Sequence, residues 1–147
     1  MSLVNKLMEE YKNSIKNKDT IRKNTVIMVR AAIKQIEVDE RKEVTEDEIL
    51  AIISKQVKEK RFAIEEFKKG SREDLVQLTE AEIEILLEYL PKQLTEEQVE
   101  QIVIETIKEI NATSMKDIGL IMKAVMPKVI GRTDGNIVNK VVKRVLN

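Results

Sequence analysis

Met126-Pro-Lys-Val-Ile-Gly-Arg-Thr-Asp-Gly-Asn-Ile-Val-Asn-Lys140 places a proline, two glycines, a basic pair and a helix cap within fifteen residues. The segments on either side, Met115 to Val125 and Ile137 to Leu146, both carry apolar residues at helical spacing. Pro127 lacks an amide hydrogen and disfavours helix at the residue before it, so the first segment is expected to end or kink there. Gly131 suits the positive φ of a residue just past a helix end. Thr133 or Asp134 then caps the next helix by accepting hydrogen bonds from its free amides. The stretch reads as a rigid connector presenting Lys128 and Arg132 beside a helix start.

In the last helix Ile137, Val138, Val141, Val142, Val145 and Leu146 occupy about half of the wheel at roughly 100° per residue. Asn136, Asn139, Lys140, Lys143 and Arg144 fill the other half. One face is core and the other cationic. A solvated charged face is the ordinary fate of such a pattern; a grip for a polyanion is the sharper reading.

Composition removes many chemistries. The 147 residues hold no cysteine and no histidine. That excludes a disulfide framework, a thiolate metal site, a cysteine nucleophile and the commonest general base. Four Gly, two Pro, 3% aromatic and 35% charged residues are the composition of a helical protein. The longest apolar run is five residues, Ile49 to Ile53, too short for a membrane span. No signal-peptide core follows the first residues, and the expected location is the cytoplasm. The net charge of zero hides a gradient. Residues 1–70 carry 16 Lys+Arg against 13 Asp+Glu, residues 71–110 carry 3 against 11, and residues 111–147 carry 7 against 2. A basic end beside an acidic middle points to a polyanion contact at that end, or to docking on an acidic protein.

Working back along the chain, the same signals give an all-α fold. Leu3, Leu7, Met8, Tyr11 and Ile15 mark a first helix from Ser2 to Lys16. Asp19 or Thr20 caps a second, to about Glu40. Thr45 and Glu48 form a capping box for a third, which runs to about Lys69 with Gly70 as terminator. A fourth opens at Ser71-Arg72-Glu73-Asp74 and ends at Pro91. Thr95 and Gln98 form a second capping box, with Asn111 the stop for that helix. Ser114 caps the next, with Asp117 in the matching third position. Along it Lys116 and Lys123 lie opposite the apolar side, and Gly119 sits at the edge of the apolar arc, where a missing side chain would admit another helix. The expected domains are a four-helix subdomain over residues 1–91 and a three-helix subdomain over residues 92–147.

The chemical motifs are sparse. Carboxylates such as Glu82, Glu84 and Glu88 lie on helix surfaces among lysines rather than as a pair in a pocket. No D-x-D-x-D-G loop supports calcium, and no metal or cofactor is assigned. Gly131-Arg-Thr-Asp-Gly135 resembles part of a phosphate loop but lacks the Gly-Lys-Ser/Thr pattern and a preceding strand. A backbone phosphate of a nucleic acid at the following helix start fits it better. Lys58, Lys60 and Arg61 form a second basic cluster, diluted by Glu59, Glu65 and Glu66.

Several longer stretches resemble a known family. They are Arg30-Ala-Ala-Ile-Lys-Gln-Ile-Glu37, Glu65-Glu66-Phe67 with Gly70-Ser-Arg-Glu-Asp-Leu75, and Tyr89-Leu-Pro-Lys-Gln-Leu94. With them go Ser114-Met-Lys-Asp-Ile-Gly119, Met126 to Gly135, and Val138-Asn139. Together they are similar to the YqeY-like proteins, whose fold is shared with the tail of the B subunit of the glutamine-dependent tRNA amidotransferase. The resemblance implies two all-α subdomains and a tail that helps hold tRNA. The family motif positions are Lys116, Lys128, Gly131, Arg132, Asp134, Gly135 and Asn139. Charge geometry adds Lys123, Lys140, Lys143 and Arg144. A carbon–nitrogen ligase label with glutamine as amide donor follows from the shared tail alone, since the catalytic part of the B subunit has no counterpart here. The expected function is therefore a tRNA- or RNA-binding module without catalytic residues of its own. The alternatives are an adaptor for a tRNA synthetase or amidotransferase complex and, by family transfer, a carbon–nitrogen ligase activity with glutamine as amide donor.

Overall fold

The computed structural model describes residues 2–147. It is all-α, with seven helices and one 3-10 turn and no strand among the described residues. The helices are α1 Leu3–Lys16, α2 Thr20–Glu40, α3 Glu46–Lys69, α4 Glu73–Leu87, α5 Glu96–Ile110, α6 Ile118–Val129 and α7 Gly135–Leu146. They divide into two compact units, the first ending at Leu90 and the second spanning Pro91–Asn147. No helix among the described residues is long and apolar enough to cross a membrane.

In the first unit the apolar stripes of α1 to α4 meet in one core. Leu7, Val26, Val29, Ile49, Ile53 and Leu86 are its most deeply buried members. Each such side chain contributes roughly 1.5–3 kcal/mol on burial, far more than any helix propensity. The start signals in the sequence are satisfied as read. Asp19 accepts from the Arg22 amide. Thr45 and Glu48 exchange hydrogen bonds across the first turn of α3. Lys42, 2.8 Å from Glu48, holds that carboxyl below its usual range, with the Thr45 amide as the second cause.

Arg22 ties three elements together. Its guanidinium lies 2.6 Å from Glu88, 3.4 Å from Asp19 and 3.7 Å from Glu10. Beside this cluster the Tyr89 hydroxyl is buried and finds no hydrogen-bond partner among the described residues. Burial, then the Glu10 carboxylate, push its pKa up to about 12, against the pull of Arg22.

The second unit is built on β-branched residues. Val99 and Val103 of α5, Ile121, Val125 and Val129 of α6, and Val138, Val141 and Val142 of α7 are fully buried together. Thr95 and Gln98 form the reciprocal cap of α5, and Asn111 closes that helix in the left-handed region at φ 55°.

α3 ends at Lys69 with Gly70 as its cap, as read, at φ −88°, and Ser71 takes the left-handed turn at φ 55°. Three other element ends differ from the sequence reading, each for a local reason. The helical hydrogen bonds of α4 stop at Leu87, short of Pro91. Three i−3 bonds then tighten the chain through Leu90, the residue whose helical conformation Pro91 disfavours. Ser114 and Asp117 both act as caps, but of the 3-10 turn Met115–Asp117, so α6 starts only at Ile118. Pro127 lies inside α6, which continues to Val129. A proline this close to a helix end removes one hydrogen bond, and the burial of Val129 holds the last turn in place.

The glycines separate by role. Gly131 is buried at φ 73°, where a side chain is strained. Gly119 is exposed inside α6, and a Cβ added there meets nothing within 4 Å. No helix packs against Gly119, contrary to the expectation from its place on the wheel. Gly131→Ala is therefore expected to lower the unfolding free energy by about 1–2 kcal/mol, whereas Gly119→Ala raises it by about 0.5–1 kcal/mol. Urea denaturation followed by circular dichroism measures both signs.

Tyr89 gives a pH signature. Because its folded pKa is raised above the ordinary tyrosine value of about 10, the unfolded chain loses that proton first. Stability from this group is intact below about pH 10 and declines as pH rises towards about 12. Tyr89→Phe is expected to flatten that alkaline decline relative to the parent and to cost nothing at neutral pH, since the hydroxyl it deletes is unpartnered.

Candidate nucleic-acid interface

The connector between α6 and α7 is held rigid from behind. The Leu94 amide donates to the Arg132 carbonyl at 2.8 Å, and the Gln93 side-chain amide donates to the Gly131 carbonyl at 2.7 Å. The Arg132 amide closes the turn onto the Val129 carbonyl at 2.8 Å. Asp134, one of the two residues read as a cap, accepts from the Asn136 amide and starts α7. The connector is thus preorganised by the segment that leads into α5, a role for Gln93 and Leu94 that their sequence context does not reveal.

The basic side chains do not form one continuous cationic grip. Lys128 points its ammonium at Glu109, 2.8 Å away, and donates to the hydroxyl of Thr106 at 2.9 Å. Thr106 is fully buried and passes its own proton to the Ile102 carbonyl at 2.7 Å. Lys128 therefore fastens α6 to α5. Lys140 faces Glu96 at 3.8 Å, and Arg144 bridges Glu96 and Glu100 at 3.5 and 2.9 Å. The cationic face of α7 lies against the acidic face of α5.

The remaining candidates are differently placed. Arg132 is half-buried and forms no ion pair among the described residues. Asn139 is half-buried on α7, and Lys143 is exposed. Gly135 opens α7, and a Cβ there meets only the tip of Met126 at 3.7 Å, an ordinary contact. On the outer side of α6 and the turn before it, Lys116, Gly119, Leu120 and Lys123 are all exposed. Within α6 Gly119 and Leu120 each lie about one turn from Lys123, while Lys116 stands on the 3-10 turn before it. Lys116 and Lys123 have no carboxylate partner among the described residues, and Asp117 accepts from the Thr113 amide at 3.1 Å. In the first unit, Lys60 of the other basic cluster turns inward to Glu82 at 3.5 Å and is largely buried.

The family profile described as Yqey-like protein matches residues 4–146, both units and the connector included. The chain belongs to the YqeY-like family. Curated relatives of this YqeY-like chain carry the name altered inheritance of mitochondria protein 41, mitochondrial. The protein of that name from Pyrenophora tritici-repentis is 26% identical over 144 residues, 96% of this chain and 79% of the relative. Those from Lachancea thermotolerans and Kluyveromyces lactis are 36% and 34% identical over 57% and 56% of this chain. These two matches span 46% and 45% of the relatives' own lengths. All three relatives are named as mitochondrial, a compartment that differs from the cytoplasmic expectation drawn for this chain.

The geometry ranks the contacts of the connector. Gln93→Leu leaves the Gly131 carbonyl without its partner and is expected to cost about 1–3 kcal/mol of stability. Lys128→Met costs under about 1 kcal/mol, because its ion pair is partly solvated and Thr106 keeps the Ile102 carbonyl as acceptor. Chemical denaturation of the two variants side by side checks the order.

Proposed function

We propose that this YqeY-like protein is an RNA-binding module, with tRNA as the first ligand to test. The outer face of α6 is where the RNA backbone lands. The observation that carries this reading is Gly119. Gly119 is the second residue of α6, where glycine is still a poorer helix former than alanine, yet no atom of the chain occupies the space it leaves. A local rule broken without a packing gain marks a functional position. Lys116 and Lys123 flank it, exposed and unpaired among the described residues. Two ammonium groups beside a bare stretch of helix suit the close approach of a phosphodiester backbone.

The ion-paired cations take a second rank. Lys140 and Arg144 sit in partly exposed pairs, each worth about 0–1 kcal/mol, so a phosphate exchanges for the carboxylate at little cost. Lys128 is tied into the structure and contributes least. Recognition of this kind follows backbone and shape, and its affinity falls steeply with salt. Met115 and Leu120, 39% and 64% exposed near the same lysines, support a second reading, a protein partner of the adaptor type.

Filter binding of tRNA at two salt concentrations separates these readings. The parent is expected to bind and to lose affinity with salt, and Lys116→Glu/Lys123→Glu to bind at least about tenfold more weakly, a difference of about 1.4 kcal/mol. Gly119→Ala is expected to bind more weakly although it is more stable. Unchanged binding in the double variant removes the assigned face. Capture of a protein partner that survives nuclease and high salt, with no tRNA binding, favours the adaptor.

A further inference from the structure

The first unit carries a cleft of about 530 Å³ between α1 and α2, closed at one end by Val44 of the following connector. Its floor reaches the buried Leu7 and Ile33, and its lips are Val4 and Ile27, 49% and 40% exposed. The volume falls within the roughly 300–1,000 Å³ of small-ligand sites. One wall holds Arg30, whose guanidinium lies 5.0 Å from the centre of the Tyr11 ring. Arg30 is half-buried and forms no ion pair among the described residues. The other charged groups on the cleft are Lys34, one turn further along α2, and Glu37. Glu37 lies seven residues, roughly 10 Å, from Arg30 along the helix axis, and neither it nor Lys34 forms an ion pair among the described residues. An apolar cleft thus carries on one wall a guanidinium over an aromatic ring, with no ion pair to it among the described residues and its one lining carboxylate, Glu37, about two helical turns away.

The geometry points to a binding site for a small amphipathic anion, a single aliphatic chain ending in a carboxylate. The chain lies over Leu7 and Ile33 between Val4 and Ile27. The carboxylate meets Arg30, whose planar fork pairs with it bidentately. A partner helix fits less well. At a diameter of 10–12 Å, one helical turn fills roughly 400–600 Å³, so this cleft seats about a single turn, whereas helix-in-groove recognition uses anchors over two turns or more. An aliphatic chain has no such width.

Sodium decanoate, below its micelle-forming concentration, is the probe, with decanol, decyl phosphate and decyltrimethylammonium as comparisons. Binding is followed by backbone amide shifts in nuclear magnetic resonance spectra of the full chain. Decanoate is expected to shift amides of residues 4–11 and 27–34 saturably and to bind at least about tenfold more tightly than decanol, the equivalent of about 1.4 kcal/mol. Decyltrimethylammonium is expected to bind no better than decanol. Arg30→Gln is expected to bring decanoate down to the affinity of decanol while leaving decanol binding unchanged. Tighter binding of decyl phosphate than of decanoate reassigns the head group to phosphate and overturns the carboxylate. Equal binding of the anionic and cationic probes, or shifts confined to other residues, overturns the site. The ligand comparison on the parent chain decides the matter even if Arg30→Gln does not fold.

Discussion

Two hydrogen bonds, from the Leu94 amide to Arg132 and from the Gln93 side chain to Gly131, tie the segment before α5 to the turn between α6 and α7 in the C-terminal unit. Its core is eight β-branched side chains without an aromatic residue. Such side chains have few rotamers, so they pack well only when the helix axes are already correctly placed. The bonds from the entry segment fix the turn that joins α6 to α7, and Gly131 supplies the positive φ the turn needs. Without that clamp the same valines would still be buried, but the angle between the last two helices would be set by packing alone. The basic residues of α7 would lose their fixed place opposite α5.

Charge follows the same architecture. Within the C-terminal unit the acidic residues of α5 and the basic end of the sequence are separated along the chain but adjacent in space, because α5 packs against α6 and α7. Glu96, Glu100 and Glu109 of α5 therefore meet Lys140, Arg144 and Lys128. The gradient along the chain is partly an internal complementarity rather than a field directed outward. The C-terminal unit as a whole carries nine Lys+Arg against seven Asp+Glu in residues 91–147. Its net charge is small, and what distinguishes one lysine from another is its neighbours. Lys116 and Lys123 differ from Lys128 in being exposed without a carboxylate partner among the described residues.

The helices and most of their starts were legible because both rest on local physics. A stripe of apolar residues at helical spacing has one good solution, and Thr45-x-x-Glu48 and Thr95-x-x-Gln98 satisfy the free amides within four residues of chain. Helix ends were less legible, since a single glycine or proline competes with tertiary burial. Val129 keeps α6 going past Pro127, and Ser71 rather than Gly70 takes the strained turn. The basic face of α7 was legible as a charged face, and its ion pairs were not. A periodic pattern states which side of a helix is wet, but not which carboxylate on another helix stands opposite. The i, i+4 pair Glu96 and Glu100 was the available signal, and its meaning depended on the packing of α5 against α7. Arg30 and Tyr11 lay in different helices with no spacing rule to join them.

The two glycines of the C-terminal unit show how one residue type serves opposite ends. Gly131 is favoured by the backbone, with its carbonyl held by Gln93 and its φ of 73° in the left-handed region, where a side chain is strained. Gly119 has an ordinary helical backbone, solvent above it and no neighbour to accommodate. Stability alone would favour alanine at Gly119 and forbid it at Gly131. The chain's own packing therefore accounts for one glycine and leaves the other to whatever approaches α6 from outside. The same contrast separates Lys128, which the fold uses, from Lys116 and Lys123, which it does not. A costly residue and two exposed lysines without a carboxylate partner among the described residues thus lie in and just before α6, and nothing in the packing of the chain accounts for them.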